Sequence, residues 1–290
     1  MNKLAAIIVQ CRFYYATLPM LAIISGFVVA GSTNLVQLLL TSVSFIFIHC
    51  FESSVNNTYD AVSDKMSAIM REQNPLVTGD LNFREARIIN IVTPITAIII
   101  SLFTSHHWTL LIFTIIGLVT IYDLKPFRLK DTPIEILIVP CYTALPFLFS
   151  YIHASASVIL SPIVLFTFLF LFLNLITDLR HIPDFEHDFR LGAQTFTVTF
   201  GIEATRKMEL LTSISTLACL TAAVILGLVS VVGLPLLLVT TYFKMNILLK
   251  EAEELQNPQI WKRFSQAMIT NTGAMLLSLA GTVLSIGIVI

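Results

Sequence analysis

The chain is laid out as a succession of apolar runs, each close to the roughly 20 residues a helix needs to cross a bilayer. Nine are read, at 13–31, 35–55, 87–105, 107–123, 134–153, 157–177, 208–229, 234–249 and 267–289. Only Ser230 to Gly233 separates the seventh from the eighth. The expected fold is therefore an all-α membrane protein, a bundle of about nine transmembrane helices forming a single domain over residues 1–290. Composition agrees. Charged residues make up 12% of the chain and hydrophobic ones 56%, about half the charge of an ordinary soluble domain. A net charge of −1 lacks the basic footprint of a nucleic-acid binder, so no nucleic-acid partner is expected. The four cysteines are scattered, with neither metal spacing nor a disulfide framework, and read as small membrane-buried side chains. No cleavable leader is expected, because Arg12 interrupts the first apolar stretch.

Charge sets the orientation. Short links (32–34, 105–107, 153–155 and the Gly233 turn) carry no Lys, Arg, Asp or Glu, whereas 56–86, 123–133, 178–207 and 250–266 are long or polar. All 17 Lys and Arg fall on the long-loop side or at adjoining span ends, except Lys244 inside the eighth run. The positive-inside rule makes that face cytoplasmic. The location implied is multi-pass in the plasma membrane, with the chemistry at the cytoplasmic face. The segment 251–266, with Trp261, Lys262 and Arg263, reads either as a short interfacial helix or as a solvated connector.

Two acidic stretches open cytoplasmic loops, after spans two and six, giving a weak internal repeat. In the first, Asn56, Asp60 and Asp64 are spaced by four and stack along one helical face, which continues back to His49, Glu52 and Ser53. In the second, Asp184 and Asp188 have the same spacing, preceded by Asn174, Asp178 and His181. Pro183 should make the helix kink or restart there. Ionisable groups at such depth usually face a cavity; His49 and Glu52 are equally well read as pairing with each other. Clustered carboxylates point to a hard cation and a phosphate-rich ligand. Among metals, Mg²⁺ fits best, because it binds through a few carboxylates plus substrate phosphates. Histidine suits softer metals, which leaves His181 outside the ligand set. Counter-charge is available in Lys125, Arg128 and Lys130 after Tyr122, in Lys65 and Arg71 after the first stretch, and in Arg190 after the second. Lys125 and Arg128 are the better candidates, since they sit at a span end level with the carboxylates.

These pieces together resemble the UbiA superfamily of intramembrane prenyltransferases. The resemblance rests on Asn56-x3-Asp60-x3-Asp64, on Asn74-Pro75-Leu76-Val77-Thr78-Gly79, and on Tyr122 with the stretch Lys125 to Lys130. It is completed by Asp184-x-Glu186-x-Asp188 with Gly192 and the Thr195 to Gly201 tail. It implies a helical bundle around a central cavity open to lipid, with Mg²⁺ as cofactor and a polyprenyl diphosphate as donor. Carried over by position, Asn56, Asp60, Asp64, Asp184 and Asp188 would be metal and diphosphate ligands, with Lys65 following the first set. Lys125 and Arg128 would neutralise diphosphate oxygens, and Tyr122 would stand near the reacting allylic carbon. Three positions depart from the family pattern. His181 stands where another acid is common, and Asn74 and Lys65 stand where arginine is common.

The expected activity is Mg²⁺-dependent transfer of a polyprenyl group from its diphosphate to a lipophilic or aromatic acceptor, as in quinone-type lipid biosynthesis. Breaking the allylic C–O bond leaves charge on the diphosphate, which Mg²⁺, Lys and Arg can stabilise. The chain's 21 Phe and 7 Tyr offer aromatic faces for the allylic cation. Transfer to a glycerol-phosphate lipid precursor is the alternative within the class; a basic pocket near Arg12 or Arg71 would suit either kind of acidic acceptor. A cation transporter is the alternative outside it. Against a transporter, the carboxylates gather at one end rather than at mid-membrane, and the external loops carry no charge for a second gate.

Overall fold

The computed structural model describes residues 2–66, 73–155 and 185–226, with isolated positions between 163 and 182 and between 235 and 246. The expected sixth and eighth spans fall largely outside the described residues, and the ninth wholly so. Among the described residues every regular element is helical. In chain order they are α1 (Lys3–Gln10), α2 (Thr17–Val29), α3 (Leu35–Asp64), α4 (Pro75–Thr78), α5 (Phe83–Ser101), α6 (His106–Asp123), α7 (Glu135–Ser155), α8 (Phe185–Leu191), α9 (Phe196–Phe200) and α10 (Ile202–Ile225). Single 3-10 turns cover Phe13–Ala16 and Leu129–Asp131. By length and composition α3, α6, α7 and α10 can cross a membrane, and Pro19–Val29 is a shorter apolar helix.

The chain divides into two compact units. The first holds Met1–Met20 and Asn34–Leu129, and its axis is α3, which α5 and α6 flank and α1 and α4 touch. At 30 residues, α3 is about 45 Å long at 1.5 Å per residue, against a hydrocarbon core of about 30 Å. The apolar run ends near residue 55, but the helix continues to Asp64 and carries the acidic face with it. Caps explain several boundaries. The Oδ1 of Asn34 accepts from Gln37 N at 3.1 Å to start α3. Asn82 and Glu85 exchange backbone bonds of 2.9 and 2.8 Å in a capping box, which starts α5 at Phe83, ahead of the apolar run expected at 87. Lys3 lies 2.8 Å from the Glu85 carboxylate. That contact, aided by the Asn82 N–H, holds the Glu85 carboxyl below its usual range.

Packing in this unit is apolar at one level and polar at another. Phe45 and Ile48 of α3 and Trp108, Leu111, Ile112 and Ile115 of α6 are all buried, and the two helices pack together. The indole Nε1–H of Trp108 donates to Ser44 Oγ at 2.7 Å, so the buried ring keeps its one polar atom paired. Ile88, Ile91, Val92, Ile95 and Ile99 of α5 stay exposed, as befits a helix surface facing lipid. Further along α3 more of the buried side chains are polar: Ser53, Ser54, Asn57 and Asp64, joined by Gln10, Asn74 and Asp123.

The second unit holds Leu21–Thr33 and Lys130–Ile290. Here α2 meets α7 at Gly26, where an added Cβ would lie 1.9 Å from Ser150 Oγ and 2.6 Å from the Phe147 carbonyl. This is the small-residue contact that lets membrane helices approach closely. Pro140 and Pro146 lie inside α7, a position tolerated in membrane helices because neighbours re-satisfy the freed carbonyls. Near the other end, α8 packs on α9 and α9 on α10, and Gln194 N donates to the Asp131 carbonyl at 2.7 Å.

Candidate active site

The unbroken run of α3 through Asp64 puts Asn56, Asp60 and Asp64 on one helix, in the stack their spacing predicts. Each is held by a different element of the first unit. The Asn56 Nδ2 donates to Asp123 Oδ1 at 2.9 Å; Asp123 is fully buried and closes α6. The Asp60 Oδ1 receives Arg128 Nη2 at 3.2 Å, with side-chain exposures of 22% for Arg128 and 18% for Asp60. That partial burial makes the pair less screened than a surface bridge. Asp64, buried, accepts from Asn74 Nδ2 at 2.7 Å.

Two arginines near the acidic face sit on unusual backbone. Arg128 has φ 39°, a left-handed conformation costly for a residue with a Cβ. Its N–H donates to the Leu124 carbonyl at 2.8 Å, closing a turn that returns the guanidinium to α3. Arg12, at φ 44°, links α1 to the first 3-10 turn and donates from Nη2 to Asn57 Oδ1. Asn57 Nδ2 in turn donates to the Gln10 carbonyl at 3.2 Å, and the Gln10 amide reaches Ser54 O and Oγ, each at 3.2 Å. The end of α1 is thus bound to α3 through hydrogen bonds next to the acidic face.

Asn74 fills the position where arginine is common in the family pattern. It is fully buried; its Nδ2 also reaches the Asn57 carbonyl at 2.8 Å, and its Oδ1 caps α4 by accepting from Leu76 N at 3.0 Å. Pro75 then sits at the first helical position and Gly79 ends the turn at φ 80°, the left-handed geometry glycine takes without cost. The Asn-Pro…Gly piece is therefore a clamp on the end of α3. His49 and Glu52 do pair, at 3.8 Å between Nδ1 and Oε2. His49 Nε2 meets the Arg12 carbonyl at 3.1 Å, and Glu52 accepts from Ser53 Oγ at 3.0 Å.

Tyr122 is half-buried on the last turn of α6, next to Asp123. Lys65 and Lys125 are exposed. In the second unit α8 begins at Phe185, two residues past Pro183. Asp188 is half-buried, with Oδ2 accepting from Thr195 Oγ1 at 3.4 Å and its carbonyl accepting from Ala193 N at 3.0 Å around the Gly192 turn. Asp184, His181, Pro183, Asp178, Asn174 and Arg71 lie outside the described residues.

Sequence reasoning did not single out Asp123 or Asn57. A signal existed for Asp123. An acid closing an apolar helix faces the negative end of the macrodipole, so something must hold it, and Asn56 does. Asn57 lies one residue off the period-four face and gave no such signal.

The donor set suits Mg²⁺ in type: carboxylate and amide oxygens, without thiolate or imidazole in the Asn56–Asp60–Asp64 stack. Among the described residues no three His, Cys, Asp or Glu cluster as a preformed cage. That is compatible with Mg²⁺, which is usually held by one or two carboxylates plus substrate phosphates.

A long helix thus carries an Asn/Asp stack at one end, with Arg128 of the turn after Tyr122 set on Asp60. The UbiA prenyltransferase family model matches residues 18–272, and the chain belongs to that family. No curated relative matches the sequence. Among solved structures, a UbiA homologue from Archaeoglobus fulgidus bound to DMAPP and Mg²⁺ is 20% identical at TM-score 0.70, over 93% of this chain and 98% of that one. The same homologue bound to GPP and Mg²⁺ gives 20% identity and TM-score 0.71, over 93% and 99%. A structure described as digeranylgeranylglyceryl phosphate synthase is 17% identical at TM-score 0.73, over 98% and 100%. At these identities the likeness is one of fold.

Proposed function

We propose that the protein transfers a polyprenyl group from a polyprenyl diphosphate to an aromatic acceptor of quinone-type lipid biosynthesis, with Mg²⁺, at the cytoplasmic face of the plasma membrane. The observation that carries the reading is the Asn56–Asp60–Asp64 face with Arg128 on Asp60 at 3.2 Å: oxygen donors for a hard cation, and beside them a cation for the diphosphate. A. fulgidus homologue structures containing DMAPP or GPP with Mg²⁺ support the same donor and metal here. Membership of a prenyltransferase family weighs against the cation transporter.

In this reading Asn56, Asp60 and Asp64 of the first motif, and Asp184 and Asp188 of the second, would be the Mg²⁺ ligands. Bound Mg²⁺ supplies Lewis-acid stabilisation of the charge that develops on the leaving diphosphate. Arg128 leaves Asp60 for the diphosphate oxygens, so its positive charge passes from carboxylate to substrate. Lys125, exposed one turn earlier, adds a second cation, and Lys65 a third beyond Asp64. Tyr122 stands by the allylic carbon, where its ring stabilises positive charge by cation–π contact. The apolar helices keep water from the allylic cation.

The test is an assay of the purified full-length protein with geranyl diphosphate and a panel of aromatic and glycerol-phosphate acceptors. Prenylated aromatic product that requires Mg²⁺ supports the reading. Product only on glycerol phosphate moves the protein to ether-lipid synthesis. Mg²⁺ or proton flux in proteoliposomes without any prenyl transfer would overturn the enzymatic reading.

A further inference from the structure

We propose that Asp123 is a positioning residue that fixes which atom Asn56 offers to the cation. The inference rests on the reading of Asn56 as an oxygen ligand. A primary amide has a donor end and an acceptor end of nearly equal size, and only its partners decide which way it turns. The Asn56 amide meets Asp123 Oδ1 at 2.9 Å through Nδ2. Asp123 Oδ1 accepts that N–H, so the amide presents its NH₂ to Asp123 and its carbonyl oxygen faces away. Among the described residues, the Asn56–Asp123 bond is the one side-chain hydrogen bond of Asn56. Its Oδ1 therefore remains available, one helical turn before Asp60 on the same face.

The arrangement also gives a reason for asparagine at position 56. A carboxylate there would face the Asp123 carboxylate at hydrogen-bond distance, and like charges that close disfavour joint ionisation. Asparagine supplies a neutral oxygen ligand while its NH₂ neutralises none of the charge on Asp60 or Asp64. Asp123 is fully buried at the end of α6, so its orientation is set by packing rather than by solvent. Outer partners of this kind orient metal ligands, and their loss typically costs about 10–100-fold in metal affinity.

The experiment measures Mn²⁺ binding by electron paramagnetic resonance on the full-length protein in detergent, with a thiolo analogue of geranyl diphosphate that is not turned over. Melting temperature without metal is recorded in parallel. Asp123→Ala is expected to weaken Mn²⁺ binding by about 10-fold or more. Asp123→Asn, whose amide can meet Asn56 in either sense, falls between it and wild type. Asn56→Asp alone should lower the melting temperature through carboxylate repulsion. The exchange Asn56→Asp with Asp123→Asn should restore both melting temperature and Mn²⁺ affinity, because a carboxylate at 56 now accepts from an amide at 123. A merely structural role predicts lower melting temperatures with unchanged Mn²⁺ affinity in every folded Asp123 variant, and that result overturns the proposal. Should Asp123→Ala not fold, Asp123→Asn and the exchange still decide it. Asp60→Ala separates the two levels. If it keeps wild-type Mn²⁺ binding, the metal-site reading itself fails; if it loses binding while the Asp123 variants keep it, only the positioning role fails.

Discussion

Asp60 and Asp188 carry the same side chain in two regions built in different ways. Around Asp60 a single helix runs from the apolar level into the polar one without a break, and elements distant in sequence close on it. The α6 terminus supplies Asp123, the following turn supplies Arg128, and α4 supplies Asn74. Asp188 itself sits on a short helix, Phe185–Leu191. Its carboxylate meets Thr195 at 3.4 Å, seven residues on, and the ion pair of its seven-residue helix, Arg190 to Glu186, lies open to solvent at 78% and 63%. The first region joins distant elements through hydrogen bonds among buried and half-buried groups, whereas Asp188 lies on a seven-residue helix that leads into the Gly192 turn, with Gln194 tied to the Asp131 carbonyl.

Breaking the first region at its cation should have the largest effect. Arg128→Ala removes the partner of Asp60 and the proposed diphosphate contact together, and should lower kcat/KM by about 100-fold. Arg128→Lys, which cannot form the same planar fork, should recover part of that loss. Steady-state kinetics on both variants checks it. A smaller but clear effect is expected at Gly26, away from either carboxylate. Gly26→Ala places a Cβ 2.6 Å from a backbone carbonyl, so α2 and α7 must separate, at about 1–3 kcal/mol. Thermal unfolding in detergent should show the loss, and Mn²⁺ affinity should stay at the wild-type value.

Next comes the clamp. Asn74→Ala leaves Asp64 and the Asn57 carbonyl without their shared donor in a buried place, at about 1–3 kcal/mol, again read from the melting temperature. Asn74→Asp should do worse, since it puts a second carboxylate against Asp64. The smallest effect belongs to the open half. Arg190→Ala removes an exposed i, i+4 pair and should change stability by less than about 0.5 kcal/mol. Equal losses at Asn74 and Arg190 would erase the difference between the two regions.

The acidic face was legible in the sequence because helical spacing is a local rule, and α3 obeys it to Asp64. Span positions were legible for the same reason, although α3 runs past its expected end at 55 to Asp64 and the helix expected from 208 starts at Ile202. Ends moved where caps outweighed hydropathy, as at Phe83, where the Asn82–Glu85 box starts α5 early. The helix Lys3–Gln10 was not anticipated, since eight residues ahead of Arg12 are too few to show a period. The partners were harder to read. Asn56 and Asp123 are 67 residues apart, Asp60 and Arg128 are 68 apart, and no spacing rule reaches across that distance. Family resemblance placed Arg128 on the diphosphate; the structure shows it on Asp60, a partner that a diphosphate would have to replace.

The most direct test of the account is turnover of geranyl diphosphate by Asp60→Ala and Asp184→Ala in the folded, full-length protein, with the acceptor that wild type uses best. The account predicts that each variant stays folded yet loses at least about 100-fold in kcat, and that excess Mg²⁺ does not restore it. Full turnover in either folded variant would contradict the two-motif metal and diphosphate site.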